Sequence, residues 1–179
     1  LQGDVFQFNY IHHLCGKDGG PCNGIYLDDE NSGATIRNNV FFQVQRPVFV
    51  GGGRDNLVEN NLFVDCPQAF HLDARGIGWA AYAVQPRIDK AIETGILCGV
   101  RFKEPPVSTR YPKLATMLED DPAKPKGNIV RRNIFWQGAG ENVRRTGWDK
   151  PPPSGSYQNA WWHHIEAKVY DLVTIENNL

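Results

Sequence analysis

Three short runs of alternating apolar residues end in positions that could do chemistry. They read Gly24-Ile25-Tyr26-Leu27-Asp28-Asp29, Pro47-Val48-Phe49-Val50-Gly51-Gly52 and Ala69-Phe70-His71-Leu72-Asp73-Ala74. Successive side chains of a strand point to opposite faces. Ile25, Leu27, Val48, Val50, Phe70 and Leu72 are therefore expected to face an interior. Tyr26, Phe49 and His71 then form one outward row, and Asp28, Gly51 and Asp73 the next. With Gly51 on the strand between them, Asp28 and Asp73 should have Cα atoms about 9–10 Å apart, twice the strand spacing. Two carboxylates flanking a cleft at roughly 5–9.5 Å suit acid–base cleavage of a glycosidic bond, one protonating the leaving oxygen while the other activates water or attacks carbon.

The neighbours of this row suit a carbohydrate. Asp29 replaces Asp28 if a bulge or turn shifts the face, and Gly51 leaves open space for a ligand. His71 and Tyr26 are placed to bond sugar hydroxyls, and Arg54 and Arg75 to hold a carboxylated sugar. Trp79 has two readings: stacking on a sugar face, or packing an insertion onto the sheet. Aspartates at strand ends also cap turns, and Asp55, before Asn56, is read that way. Adjacent histidines on a strand face opposite ways, so neither His12-His13 nor His163-His164 is expected to share a metal, and no metal site is assigned. Cys15 and Cys22 enclose a glycine-rich loop that a disulfide would close in an oxidising compartment. Cys66 and Cys98 are a second pair or two buried thiols.

The elements that must position these residues follow from an internal repeat. Phe6-Gln7-Phe8-Asn9-Tyr10-Ile11 recurs as Ile36-Arg37-Asn38-Asn39-Val40-Phe41, Val58-Glu59-Asn60-Asn61-Leu62-Phe63 and Val130-Arg131-Arg132-Asn133-Ile134-Phe135, and a last copy is Ile175-Glu176-Asn177-Asn178-Leu179. The aligned asparagines Asn9, Asn39, Asn61, Asn133 and Asn178 stand 30, 22, 72 and 45 residues apart. A 22-residue period fits one coil of a right-handed parallel β-helix. An asparagine recurring at one bend can stack as an amide ladder, and asparagine tolerates a left-handed backbone. The expectation is an all-β solenoid of about four coils, forming one domain over residues 1–179. A partly helical insertion is expected over 77–126, with helices near Ala80–Ile96 and Pro112–Glu119, and a loop insertion over 138–170, holding Trp148, Pro151-Pro152-Pro153, Trp161 and Trp162. The chain reads as a segment whose remaining coils belong to a parent chain, since neither end reads as a cap.

Composition narrows the function class. Lys+Arg is 19 against Asp+Glu 20, a net charge of -1, which argues against a dedicated nucleic-acid binder. No apolar run is long enough for a membrane span, so no membrane partner is expected. At 41% hydrophobic and 22% charged residues, the chain can build a core.

Several of these stretches carry a resemblance. Gly24–Asp29, Gly51-Gly52-Gly53-Arg54-Asp55-Asn56, Phe70–Gly76, Tyr111-Pro112-Lys113-Leu114 and Leu118–Pro122 resemble bacterial right-handed parallel β-helix proteins of the pectate-lyase-like superfamily. Within it they are most similar to glycoside hydrolase family 141, over about residues 4–136. The resemblance implies a secreted or periplasmic glycoside hydrolase acting on a plant-type or algal polysaccharide, without a cofactor. Asp28 (or Asp29) and Asp73 match the catalytic pair. Two alternatives stay open. A polysaccharide lyase would hold Ca²⁺ on Asp28, Asp29 and Asp73, with Arg75 or Arg54 as base. A non-catalytic adhesin or carbohydrate-binding module would use the same surface without turnover.

Overall fold

Asparagine side chains tie the chain together rung by rung. The structure, a computed structural model, describes residues 3–14, 22–138, 157–160 and 162–179. The backbone N–H of Asn9 donates to Asn39 Oδ1 at 3.0 Å, that of Asn39 to Asn61 Oδ1 at 3.0 Å, that of Asn61 to Asn133 Oδ1 at 2.9 Å, and that of Asn133 to Asn178 Oδ1 at 2.9 Å. Each Nδ2 between Asn9 and Asn133 also donates to the next Oδ1, and those of Asn39, Asn61 and Asn133 reach the carbonyls of Phe6, Ile36 and Val58 as well. Asn39, Asn61 and Asn133 are buried, and this is how their amides are satisfied away from water. A second ladder, unread in the sequence, joins Ala34, Asn56 and Asn128 in the same manner.

The left-handed backbone falls one residue earlier than expected. Phe8, Asn38, Asn60, Arg132 and Asn177, each just before a ladder asparagine, have φ between 52° and 58°. The sharp bend is made there, and the following asparagine is left to bond the next rung. Two of the five bend residues are not asparagine, so the rung bonds hold a conformation that phenylalanine and arginine disfavour by about 1–2 kcal/mol.

Among the described residues the strands form three sheets. The first is entirely parallel, in the order β1 (Val5–Gln7), β4 (Thr35–Arg37), β7 (Leu57–Glu59), β10 (Asn128–Arg131), β14 (Val173–Glu176). The second, also parallel, runs β11 (Ile134–Trp136), β8 (Leu62–Val64), β5 (Val40–Val44), β2 (Tyr10–Leu14). The third runs β12 (Tyr157–Ala160), β13 (His163–Glu166), β9 (Phe70–Asp73), β6 (Arg46–Gly51), β3 (Asn23–Leu27). Its inner face carries Ile25, Leu27, Val48, Val50, Phe70, Leu72 and Ile165, all buried. A stack of rings continues the core: Phe41 on Phe63 at 5.0 Å, Phe63 on Phe135 at 4.9 Å, and Phe135 on Trp162 at 4.2 Å.

This architecture corrects the expected all-β right-handed parallel β-helix, a solenoid of about four coils with two insertions. The strands are divided among three separately hydrogen-bonded sheets, and β12 pairs antiparallel with β13, so the third sheet reverses its sense at one edge. Helices α1 (Ala81–Thr94), α2 (Val107–Arg110) and α3 (Pro112–Thr116), with several 3₁₀ turns, remove the chain from the all-β class. The physical reason lies in the hydrophobic period. Ala80, Val84, Ile88 and Ala91 recur at helical spacing and are buried, with Leu118 and Ala123 packed against the first three. Gly95 ends α1 with φ 67°, the left-handed cap that glycine adopts without a Cβ penalty.

The chain divides into two compact units, one of residues Leu1–Asp73 and Pro125–Leu179, the other Ala74–Lys124. No helix among the described residues is long and apolar enough to cross a membrane. Trp148, Trp161, Pro151-Pro152-Pro153 and Cys15, with its expected bond to Cys22, lie outside the described residues. Cys66 and Cys98 are separate thiols, Cys66 buried and Cys98 exposed. Burial pushes the Cys66 thiol up to about 12, which keeps it unreactive.

The buried ladder makes a sharp prediction. Asn61→Ala strips partners from Asn39 and Asn133 and should lower the unfolding free energy by about 2–3 kcal/mol. Asn9→Ala, at an exposed end rung, should cost less than about 1 kcal/mol. Urea unfolding of the two variants checks the ranking.

Candidate carboxylate and histidine site

The outer face of the third sheet carries two rows of side chains in register. Tyr26 pairs with Phe49, Phe49 with His71, and His71 with His164, across β3, β6, β9 and β13. The rings touch along the row. Tyr26 stacks on Phe49 at 4.4 Å, Phe49 meets His71 edge-on at 4.4 Å, and His71 lies 4.9 Å from His164. The Nδ1 atoms of His71 and His164 are 2.9 Å apart, so one ring holds a proton there and the other accepts it.

The carboxylates occupy the next row. Gly51 pairs directly with Asp73. Asp28 follows Leu27, the partner of Val50, and so comes level with Gly51 on the far side from Asp73. Glu166 follows Ile165, the partner of Leu72, and so comes level with Asp73 on the opposite neighbour. Ile165 and Leu72 are both buried inward, which puts Glu166 and Asp73 on the same outer face. Glu166 is the functional candidate that the sequence reading missed. A signal was present: His164-Ile165-Glu166 repeats the pattern of His71-Leu72-Asp73.

The row is unevenly open to water. Asp28 is exposed and Tyr26 is 42% exposed, whereas Phe49, His71, Asp73 and His164 are each below 9%. The row is therefore most open to water at its Asp28 end. Asp28 also shapes the turn that follows it. Its Oδ1 accepts from the Asp29 N–H at 2.9 Å and its carbonyl from the Asn31 N–H at 3.0 Å. The turn carries two left-handed residues, Asp29 at φ 44° and Glu30 at φ 62°, and the Glu30 N–H is anchored on the Gly51 carbonyl at 2.8 Å.

Charge near the rings comes from Arg46, whose guanidinium sits 4.9 Å from the Phe49 ring and donates to Gln68 Oε1 at 2.7 Å. Burial, then the charges of Arg46 and His163, lowers His164 from 6.5 to about 4, so its imidazole is neutral at neutral pH. Glu166 accepts an ion pair from Lys168 at 3.2 Å.

The remaining candidates have contacts of their own. Arg54 pairs with its neighbour Asp55 at 3.1 Å, and its backbone N–H donates to Ser32 Oγ at 3.0 Å. Gly53 precedes it where a Cβ would lie 1.9 Å from the Asn31 carbonyl oxygen, so only glycine fits that approach. Arg75 and Trp79 belong to the second unit, where the Arg75 guanidinium lies 5.3 Å from the Trp79 ring centre and Trp79 is 64% exposed. A hollow lined by Phe135, Trp162 and residues 175–179 shares no residue with the carboxylate row. His163 turns to Trp162 while His164 turns to His71, as alternation requires. His12 and His13 break that rule, with Nδ1 atoms 2.8 Å apart. Among the described residues, no group of three or more His, Cys, Asp or Glu is arranged to hold a metal.

Compared with protein-family models, with curated proteins and with solved structures, the chain finds no match.

The lowered His164 value sets a direction for stability against pH. The unfolded chain protonates this ring near 6.5 and the folded chain only near 4, so stability falls as pH drops through that window. The expected loss is on the order of 3 kcal/mol. His164→Gln should show a shallower slope between those pH values in denaturant melts.

Proposed function

We propose that this chain is a glycoside hydrolase that cleaves a polysaccharide with Asp28 and Asp73. The observation that carries the reading is the register of Gly51 with Asp73, with Asp28 level on the other side. Two carboxylates then flank a position that has no side chain. Their Cα separation, twice the strand spacing at about 9–10 Å, leaves room for a water between acid and base.

Asp28 is exposed and is assigned as the base that takes a proton from the attacking water. Asp73 is assigned as the acid that protonates the glycosidic oxygen as its bond to the anomeric carbon breaks. Tyr26, the exposed ring beside Asp28, would receive a sugar face, and His71 would bond a hydroxyl. Likeness to glycoside hydrolase family 141 in the stretches around Asp28, Gly51 and Asp73 supports the same reaction, and with it a secreted or periplasmic setting.

The test is product analysis by mass spectrometry after incubation with plant and algal polysaccharides. Oligosaccharides carrying one added water, formed with or without chelator, are expected. Asp28→Asn and Asp73→Asn should each lower turnover by about 10²–10⁴-fold. Unsaturated products that disappear with chelator would identify a calcium lyase instead, and full activity in the Asp28→Asn, Asp73→Asn double variant would remove both residues from catalysis.

A further inference from the structure

We propose that His12 and His13 form a surface binding site for a divalent transition metal of square-planar or tetragonal preference, copper(II) foremost. In a regular strand these neighbours would point to opposite faces. Here His13 has φ 53°, a left-handed residue inside β2. The pairing of β2 with β5 registers the interruption: Tyr10 with Val40, Ile11 with Phe41 and His12 with Phe42 are followed by Leu14 with Val44, and His13 is passed over. The kink turns both imidazoles to one side and leaves both exposed, with their Nδ1 atoms 2.8 Å apart.

Neighbouring rings hold the pair in place. Tyr10 stacks on His12 at 4.6 Å, and Phe42 meets His13 edge-on at 5.1 Å. The two imidazoles stand at 89° to each other with centres 5.0 Å apart.

The nitrogen separation admits right-angled ligation of one ion. With metal–nitrogen bonds of about 2.0 Å, two ligands at a right angle lie about 2.8 Å apart, and two at the tetrahedral angle about 3.3 Å. The 2.8 Å contact is that of an N–H···N bond, and it leaves the two nitrogens close enough to ligate one ion at a right angle, the arrangement that copper(II) and nickel(II) accept more readily than zinc. Copper(II) also binds nitrogen ligands most tightly among the first-row divalent ions. Without metal, one ring carries a proton on Nδ1 and donates it to the other. On ligation that proton moves to Nε2 of the same ring, both Nδ1 lone pairs face the ion, and no charge is left unbalanced on the protein. Two protein ligands leave the other in-plane positions to water or to an incoming oxygen ligand.

The experiment is a calorimetric titration of the whole chain with copper(II), repeated with nickel(II) and zinc(II), alongside electron paramagnetic resonance of the copper form. The wild type should bind one copper(II) more than the His12→Gln, His13→Gln double variant, with a micromolar dissociation constant and a tetragonal spectrum showing two nitrogen couplings. Either single variant should weaken that site by about tenfold or more, while thermal unfolding stays unchanged because both rings are exposed. Equal copper stoichiometry in the wild type and the double variant would overturn the assignment, and so would zinc binding more tightly than copper at the site.

Discussion

A buried amide that both donates and accepts along the strand stack is the interaction on which the rest of this structure depends. The side-chain oxygens of Asn39, Asn61, Asn133 and Asn178 each take a backbone N–H and a side-chain N–H from the rung before. A buried N–H without a partner is costly, so a one-residue slip in any rung would strand several groups at once. The ladder therefore sets the register of the first two sheets, between which the bend residues lie. The aromatic stack of Phe41, Phe63, Phe135 and Trp162 adds burial along the same axis. Burial alone would tolerate sliding, whereas the directed amide bonds do not.

Register is also what converts scattered acidic residues into a row. Asp28, Asp73 and Glu166 are far apart in the chain. Pairing of β3, β6, β9 and β13 lines them up beside the rings of Tyr26, Phe49, His71 and His164. The row is graded from the exposed Asp28 to the buried Asp73. Chemistry that needs water on one side and a shielded group on the other finds both within two strand spacings.

The two histidine doublets show how one dihedral redirects chemistry. In β13 the backbone is regular, and His163 and His164 go to different partners. In β2 a single left-handed residue, His13, puts two imidazoles on one side. The same two letters in sequence thus give a buried neutral ring in one place and an exposed nitrogen pair in the other.

What the sequence determined by itself was the set of repeating positions. The asparagine spacing, the inward apolar alternation at Ile25, Val48 and Phe70, and the alignment of Asp28, Gly51 and Asp73 are period-2 and period-22 patterns that need no long-range information. Tertiary structure alone decided the rest. It decided that the strands split into three sheets with an antiparallel edge, because β12–β13 pairing depends on a segment that breaks the repeat, whereas the helices near Ala80–Ile96 and Pro112–Glu119 were already legible in the sequence. It decided that Glu166 joins the row, because only the pairing of β13 with β9 brings its repeat of His71-Leu72-Asp73 alongside the original. It decided that Arg54 is engaged with Asp55, and that two of the five bends fall on Phe8 and Arg132 rather than on asparagine. Residue type states what a side chain can bond, but which partner reaches it is set by register and by backbone dihedrals that neighbouring strands impose.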